Sequence, residues 1–175
     1  MDKGYVQIYT GNGKGKTTAA LGLALRACGQ GLRVKVIQFL KSRDCGELRA
    51  LKQLGSIEIL RGEGSGKFSI AWTDEDRKAV RQESKELMEK VMGWISEDQV
   101  DVLIIDEALG ALSCQVIDLE DIHHLLDAKG EHVEVVLTGR NAPKELIDRA
   151  DLVTEMVPIK HYFEQGVKAR RGIEY

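Results

Sequence analysis

The chain is 175 residues long, 43% hydrophobic and 30% charged, with a formal net charge of −3. That length and balance fit one globular domain with a buried core. The acidic balance gives no sign of a nucleic-acid binder, and no apolar run approaches the ~20 residues of a membrane helix.

The first apolar stretch, Tyr5 to Tyr9, is short and interrupted by Gln7, so no secretory-leader pattern is visible. Cys28, Cys45 and Cys114 are scattered and form no C-x-x-C pair. Neither a zinc site nor a disulfide frame is indicated, and a reducing cytoplasm is expected.

Short apolar strands alternate with amphipathic segments. Tyr5–Tyr9 reads as a strand feeding a glycine-rich loop. Thr17–Cys28, rich in Ala and Leu, reads as a helix stopped by Gly29 and Gly31. Arg33–Phe39 is a second strand, 46–54 a helix and Ile57–Leu60 a short strand. Arg61 to Trp72 is glycine-rich and reads as a surface loop. Thr73 or Asp74 caps a long polar helix to about Ile95. Val100–Asp106 is a continuous apolar strand suited to the middle of a parallel sheet. Asp118 caps a helix through Leu126, Val133–Thr138 is a strand, and Pro143–Ala150 is a helix with proline near its start. Leu152–Val157 is the last strand, and the weakly periodic segment from Pro158 to Tyr175 packs on the surface. This alternation predicts a three-layer α/β fold with a mostly parallel sheet and right-handed crossovers, and the glycine-rich loop after the first strand makes the expected type P-loop NTPase-like (RecA-like).

Between the first strand and helix lies Thr10-Gly11-Asn12-Gly13-Lys14-Gly15-Lys16-Thr17-Thr18. It departs from the usual phosphate-loop pattern only at Thr10, where a glycine is expected. Glycines let successive N–H groups turn into one hollow, and the following helix adds its free N–H groups and dipole. Lys16 then reaches phosphate oxygens and the Thr17 hydroxyl takes a Mg²⁺ position. The competing reading is a flexible glycine turn with solvated lysines. The flanking strand and helix favour the phosphate loop.

Leu103-Ile104-Ile105-Asp106-Glu107 is an apolar strand ending in two carboxylates. Ligands gather at the carboxyl ends of parallel strands, so Asp106 or Glu107 is expected near Thr17, as a metal ligand or as a general base. A helix N-terminal charge pair is the plainer alternative. Thr138-Gly139-Arg140 ends another strand on the same rim. There Arg140 either reaches a phosphate or anchors a loop by a salt bridge.

Three stretches together carry a more specific likeness. They are TGNGKGKTTAALGLALRACGQG with VIQFLK and CGE, then LIIDE with VVLTGRNAPKELIDRADLVTEM, then PIKHYFEQGVKARRGIEY. Over nearly the whole chain they resemble the P-loop ATP:corrinoid adenosyltransferases. The resemblance implies that a reduced Co(I) corrinoid attacks the 5′ carbon of ATP and the whole triphosphate leaves. Gly11, Asn12, Gly13, Lys14, Gly15, Lys16, Thr17 and Thr18 would then bind the triphosphate. Lys16 and Glu107 would serve catalysis. Thr17 and Glu107, supported by Asp106, would hold Mg²⁺. The resemblance also implies a flavoprotein electron donor and a homodimer. Family members carry a phenylalanine and a tryptophan close together facing the corrin. Phe68 and Trp72 stand in for them here at wider spacing, and the alternative is that they anchor a loop to the core.

His123 and His124 are adjacent on a helix and point apart, so surface or packing roles are expected. His161 is structural or close to the corrin. Lys168, Arg170 and Arg171 form a solvated face, a nucleotide contact or a dimer contact, and Cys45 is an ordinary thiol or touches substrate. The rival functions are an ATPase or small-molecule kinase acting on the γ-phosphate, and an ATP-gated module binding nucleic acid through the basic C-terminal cluster.

Overall fold

The computed structural model describes residues 2–41, 46–62, 64–67 and 69–174, and only the backbone of Lys52. Cys45 and Phe68 lie outside the described residues. The elements in chain order are β1 (Val6–Thr10), α1 (Lys16–Gly29), β2 (Val34–Gln38), α2 (Gly46–Lys52), β3 (Ile57–Arg61), α3 (Asp74–Ser96), β4 (Val102–Asp106), α4 (Ala108–Ser113), α5 (Leu119–Ala128), β5 (Glu134–Thr138), α6 (Lys144–Arg149) and β6 (Leu152–Glu155). Single turns of 3₁₀ helix occur at Ser69–Ala71 and Tyr162–Gln165.

The strands form one sheet in the order β3-β2-β4-β5-β1-β6, and every pairing is parallel. Each strand sends alternate side chains to opposite faces. Val102, Ile104 and Val136 face Ala20, Leu21 and Ala24 of α1. Leu103, Ile105 and Leu137 face a larger core shared with α3, α4 and α5. Burial on both faces explains why β4 and β5 read as unbroken apolar runs.

Local chemistry sets the helix boundaries. α3 opens on a reciprocal capping box, with the Thr73 hydroxyl accepting from the Asp76 N–H and the Asp76 carboxylate accepting from the Thr73 N–H. Asp118 and Asp121 do the same for α5. α1 starts at Lys16, one residue earlier than expected, and Gly31 at φ +78° turns the chain after it.

The structure bears out the alternative of a helix N-terminus at Asp106-Glu107 and shortens the last strand. A short helix, α4, follows β4 directly, with Glu107 in the left-handed conformation as its N-cap. Its brevity and the central Gly110 hid it from a periodicity reading. The last strand ends at Glu155, not Val157, because Met156 turns aside onto the glycine loop.

Register aligns the strand ends that matter. Gln38 lies opposite Asp106, and Tyr9 opposite Thr138. Thr10, Gln38, Asp106 and Thr138 therefore share one rim, at the carboxyl edge where parallel sheets bind ligands.

Candidate active site at the strand ends

β1 delivers the chain to the rim at Thr10, which is buried. Its hydroxyl accepts a long hydrogen bond, 3.4 Å, from the Ala142 N–H in the segment after β5. The residue standing where the loop pattern has glycine thus ties two rim segments together.

The loop then folds against the chain beyond β6. Gly13 N–H donates to the Met156 carbonyl at 2.6 Å. A Cβ on Gly11 or Gly13 would lie 2.6 Å from that same oxygen, and Gly11 and Gly15 adopt φ of +95° and +123°. Glycine is required here for close backbone approach as well as for turning.

Lys16, the first residue of α1, curls back so that its Nζ donates to the carbonyls of Gly11 (2.7 Å) and Gly13 (2.8 Å). Burial, and next the nearby Arg140 charge, push its ammonium below the ordinary lysine value, while Glu107 and Asp106 act in the opposite direction. Arg140 is exposed and, among the described residues, makes no hydrogen bond or ion pair. Arg140 thus forms no loop-anchoring salt bridge among the described residues. Its charge acts on both Lys16 and Glu107.

Asp106, wholly buried at the end of β4, is the hub. Its Oδ1 accepts from the Thr17 hydroxyl (2.8 Å) and the Thr138 hydroxyl (2.6 Å). Its Oδ2 accepts from Gln38 Nε2 (3.0 Å) and from the Lys41 ammonium. β1 and β4 are not neighbours, since β5 runs between them. Thr138 closes that gap, donating to Asp106 while its oxygen accepts the Glu107 N–H at 3.0 Å.

Glu107 follows at φ +59°. Its Oε2 stands 3.1 Å from where a Cβ on Gly110 would be, so its carboxylate lies over the first turns of α4. Burial, then the Asp106 charge, hold its carboxyl above the ordinary range, with Lys41, Lys16 and Arg140 opposing. Of the two carboxylates, the structure brings Asp106, not Glu107, into contact with Thr17.

Hard oxygen donors converge where a divalent cation was expected. Thr17 Oγ1 and Asp106 Oδ1 are 2.8 Å apart. Behind them the buried Gln38 Oε1 has no hydrogen-bond partner among the described residues. No group of three or more His, Cys, Asp or Glu side chains gathers among the described residues. A cation here would take few protein oxygens and rely on phosphate and water, as Mg²⁺ does at nucleotide sites. The donor set fits Mg²⁺.

The other sequence candidates separate. Asn12 and Thr18 are exposed on the loop and first helical turn. Lys14 points away from the hub. Its Nζ reaches Tyr162 Oη (3.1 Å), the Ile173 carbonyl (3.2 Å) and Glu174 Oε1 (2.9 Å). Arg170 also binds Glu174, so it is paired rather than solvated. Trp72 is half-buried against the α3 side of the core, and its Nε1 donates to the Lys67 carbonyl at 3.3 Å. Phe39, Leu40, Lys41 and Trp72 line a pocket there. His161 caps the 3₁₀ turn after it, accepting from the Phe163 N–H, and His123 contacts Arg149. Sequence reasoning missed Lys41 and Gln38. Their signals were position at or just after the end of a strand that reaches the same rim, and membership of the VIQFLK stretch.

The parallel sheet, the glycine loop opening α1 and the carboxylate ending β4 define a P-loop nucleotide-binding fold. A KaiC-like protein from Pyrococcus horikoshii shares the fold, with a TM-score of 0.53 at 17% identity over 87% of this chain and 73% of its own. The family described as ATP:corrinoid adenosyltransferase BtuR/CobO/CobP matches residues 2–175, and the chain belongs to it. It is 34% identical to the corrinoid adenosyltransferase CobA of Salmonella typhimurium, over 99% of this chain and 87% of that protein. It is 36% identical to a corrinoid adenosyltransferase of Sinorhizobium, over 99% of this chain and 81% of the relative.

Proposed function

We propose that the protein transfers the 5′-deoxyadenosyl group of ATP to the cobalt of a reduced corrinoid and releases tripolyphosphate, in making or salvaging adenosylcobalamin. Family membership supports the reaction class. The observation that carries the site assignment is the convergence of Lys16, Thr17 and Asp106 at the mouth of the loop.

In this reaction Co(I) supplies an electron pair to the 5′ carbon. The Co–C bond forms as the C5′–O5′ bond breaks, and the pair leaves on tripolyphosphate. Charge therefore grows on the phosphate oxygens that the loop holds. Residues Gly11 to Thr18 offer N–H groups and a helix N-terminus to them. Lys16 exchanges its loop carbonyls for phosphate. Thr17 and Asp106, with Glu107 beside them, would hold Mg²⁺, which would supply neutralising charge there. No protein general base is needed, because the nucleophile is the metal of the substrate. Arg140, exposed on the rim, would meet an outer phosphate. Trp72 and Phe68 would face the corrin.

A flavoprotein donor to cobalt and a cytoplasmic setting are part of this reading. So is a homodimer, supported by an exposed apolar edge formed by Leu152, Val153, Val157 and Ile159. No helix among the described residues is long and apolar enough to cross a membrane.

One observation favours a second reading. Glu107, with its carboxyl held above the ordinary range beside Asp106, suits a general base activating water in an ATPase or an acceptor hydroxyl in a kinase. Anaerobic mixing of the protein with Mg-ATP and chemically reduced cobalamin separates the two. A photolabile alkyl-cobalt spectrum is expected. An unchanged corrin spectrum with ADP formed, alongside orthophosphate or a phosphorylated product, would establish the second reading instead.

A further inference from the structure

Lys41 holds the position at the rim that a divalent ion would need. Its Nζ donates to Thr17 Oγ1 at 3.0 Å and to Asp106 Oδ2, while Thr17 and Asp106 also bond each other. The Asp106 side chain is 1% exposed and that of Lys41 22%. A carboxylate so deeply buried requires a cationic neighbour. Of the other cations near this pair, Lys16 is engaged on loop carbonyls and Arg140 lies at the surface. Gln38, Thr17 and Thr138 supply hydrogen bonds to Asp106 but no charge.

We infer that Lys41 is a resident cation that competes with the divalent metal for the Thr17–Asp106 pair and is displaced when metal and nucleotide enter together. An ammonium and a divalent ion cannot both sit on Thr17 Oγ1 against the one Asp106 carboxylate, because their repulsion inside the protein is not screened as in water. Lys41 keeps Asp106 neutralised before the nucleotide arrives and opposes capture of a bare metal ion. Its flexible stem and partly exposed end let it leave without rearranging β2. Once displaced, its charge remains at the loop mouth, where phosphate becomes its natural partner. Lys41 is thus a positioning residue that makes metal binding depend on nucleotide.

The inference rests on the phosphate-loop reading, and its test needs no corrinoid, so the two can fail separately. Free Mn²⁺ would be followed by electron paramagnetic resonance during titration of nucleotide-free protein. Lys41→Met is expected to bind one Mn²⁺ at least about ten-fold more tightly than the parent, about 1.4 kcal/mol. Adding Thr17→Ala to it should abolish that site, whereas Lys41→Arg should bind as weakly as the parent. Mn²⁺ should also raise the unfolding temperature of Lys41→Met more than that of the parent, which a merely structural lysine would not produce. Lys41→Gln gives the same sign should Lys41→Met fail to fold. Equal Mn²⁺ affinity in parent and neutral variants would overturn the inference, as would tight binding that survives loss of Thr17.

Discussion

Glu107 occupies a left-handed backbone position at φ +59°, which costs a non-glycine residue about 1–2 kcal/mol. Its carboxyl is also held above its ordinary value by burial and by Asp106. A carboxyl with a raised folded value binds its proton more tightly folded than unfolded. Its ionisation therefore weakens the fold as pH rises from the ordinary carboxylate value of 4.5 through the raised one. Glu107→Gln should raise the unfolding temperature at pH 8 by roughly 2–4 °C, the size of about 1 kcal/mol in a domain of this length, and change little at pH 4. Calorimetry without nucleotide checks this, and equal unfolding temperatures at pH 8 would contradict it. The residues visible in the sequence at this scale were those with a fixed spacing, such as Lys16, Thr17 and Asp106. Lys41 was not, because its partnership with Asp106 spans 65 positions and depends on β2 lying beside β4.

The glycine loop and β6 form one docked unit. Gly11, Gly13 and Gly15 were legible as a phosphate loop, but the sequence gives no hint that the backbone at Met156 packs against them. That contact arises because β6 pairs with β1, Thr10 lying opposite Glu155, which brings the next residue over the loop. Gly13→Ala should then destabilise the protein by about 1–3 kcal/mol, the usual cost of forcing extra atoms into a packed site. The added Cβ meets a backbone oxygen that cannot swing away. A denaturant titration showing no loss would mean that the loop is not pinned to β6. The order of elements was readable from alternating periods, whereas α4 entered only through the alternative reading of Asp106 and Glu107 as a helix N-terminal charge pair. Gly139, where a Cβ would lie 2.7 Å from that of Leu109, lets the end of β5 approach this helix closely.

Across the whole molecule, the C-terminal segment is joined to the N-terminal loop. Lys14 meets Tyr162, Ile173 and Glu174, and Arg170 closes the group over the Tyr162 ring. The pattern of the ending predicted surface packing but not where. Hydrogen bonds from Arg170, Tyr162 and Lys14 hold the Glu174 carboxyl well below its ordinary range. Its contribution is therefore present above the ordinary carboxylate value and is lost as pH falls through the depressed one. Glu174→Gln should speed limited proteolysis of the segment after Pro158 several-fold at neutral pH, with little effect on global unfolding. An unchanged cleavage rate would show that the clasp does not hold the tail.

The central claim is that the loop holds a leaving group whose phosphate chain stays intact. Phosphorus nuclear magnetic resonance of an anaerobic reaction with Mg-ATP and reduced cobalamin tests it most directly. One tripolyphosphate should appear for each alkyl-cobalt formed, and Lys16→Ala should suppress both together. Orthophosphate or diphosphate accumulating in step with the alkyl-cobalt product, or transfer that persists without Lys16, would contradict it.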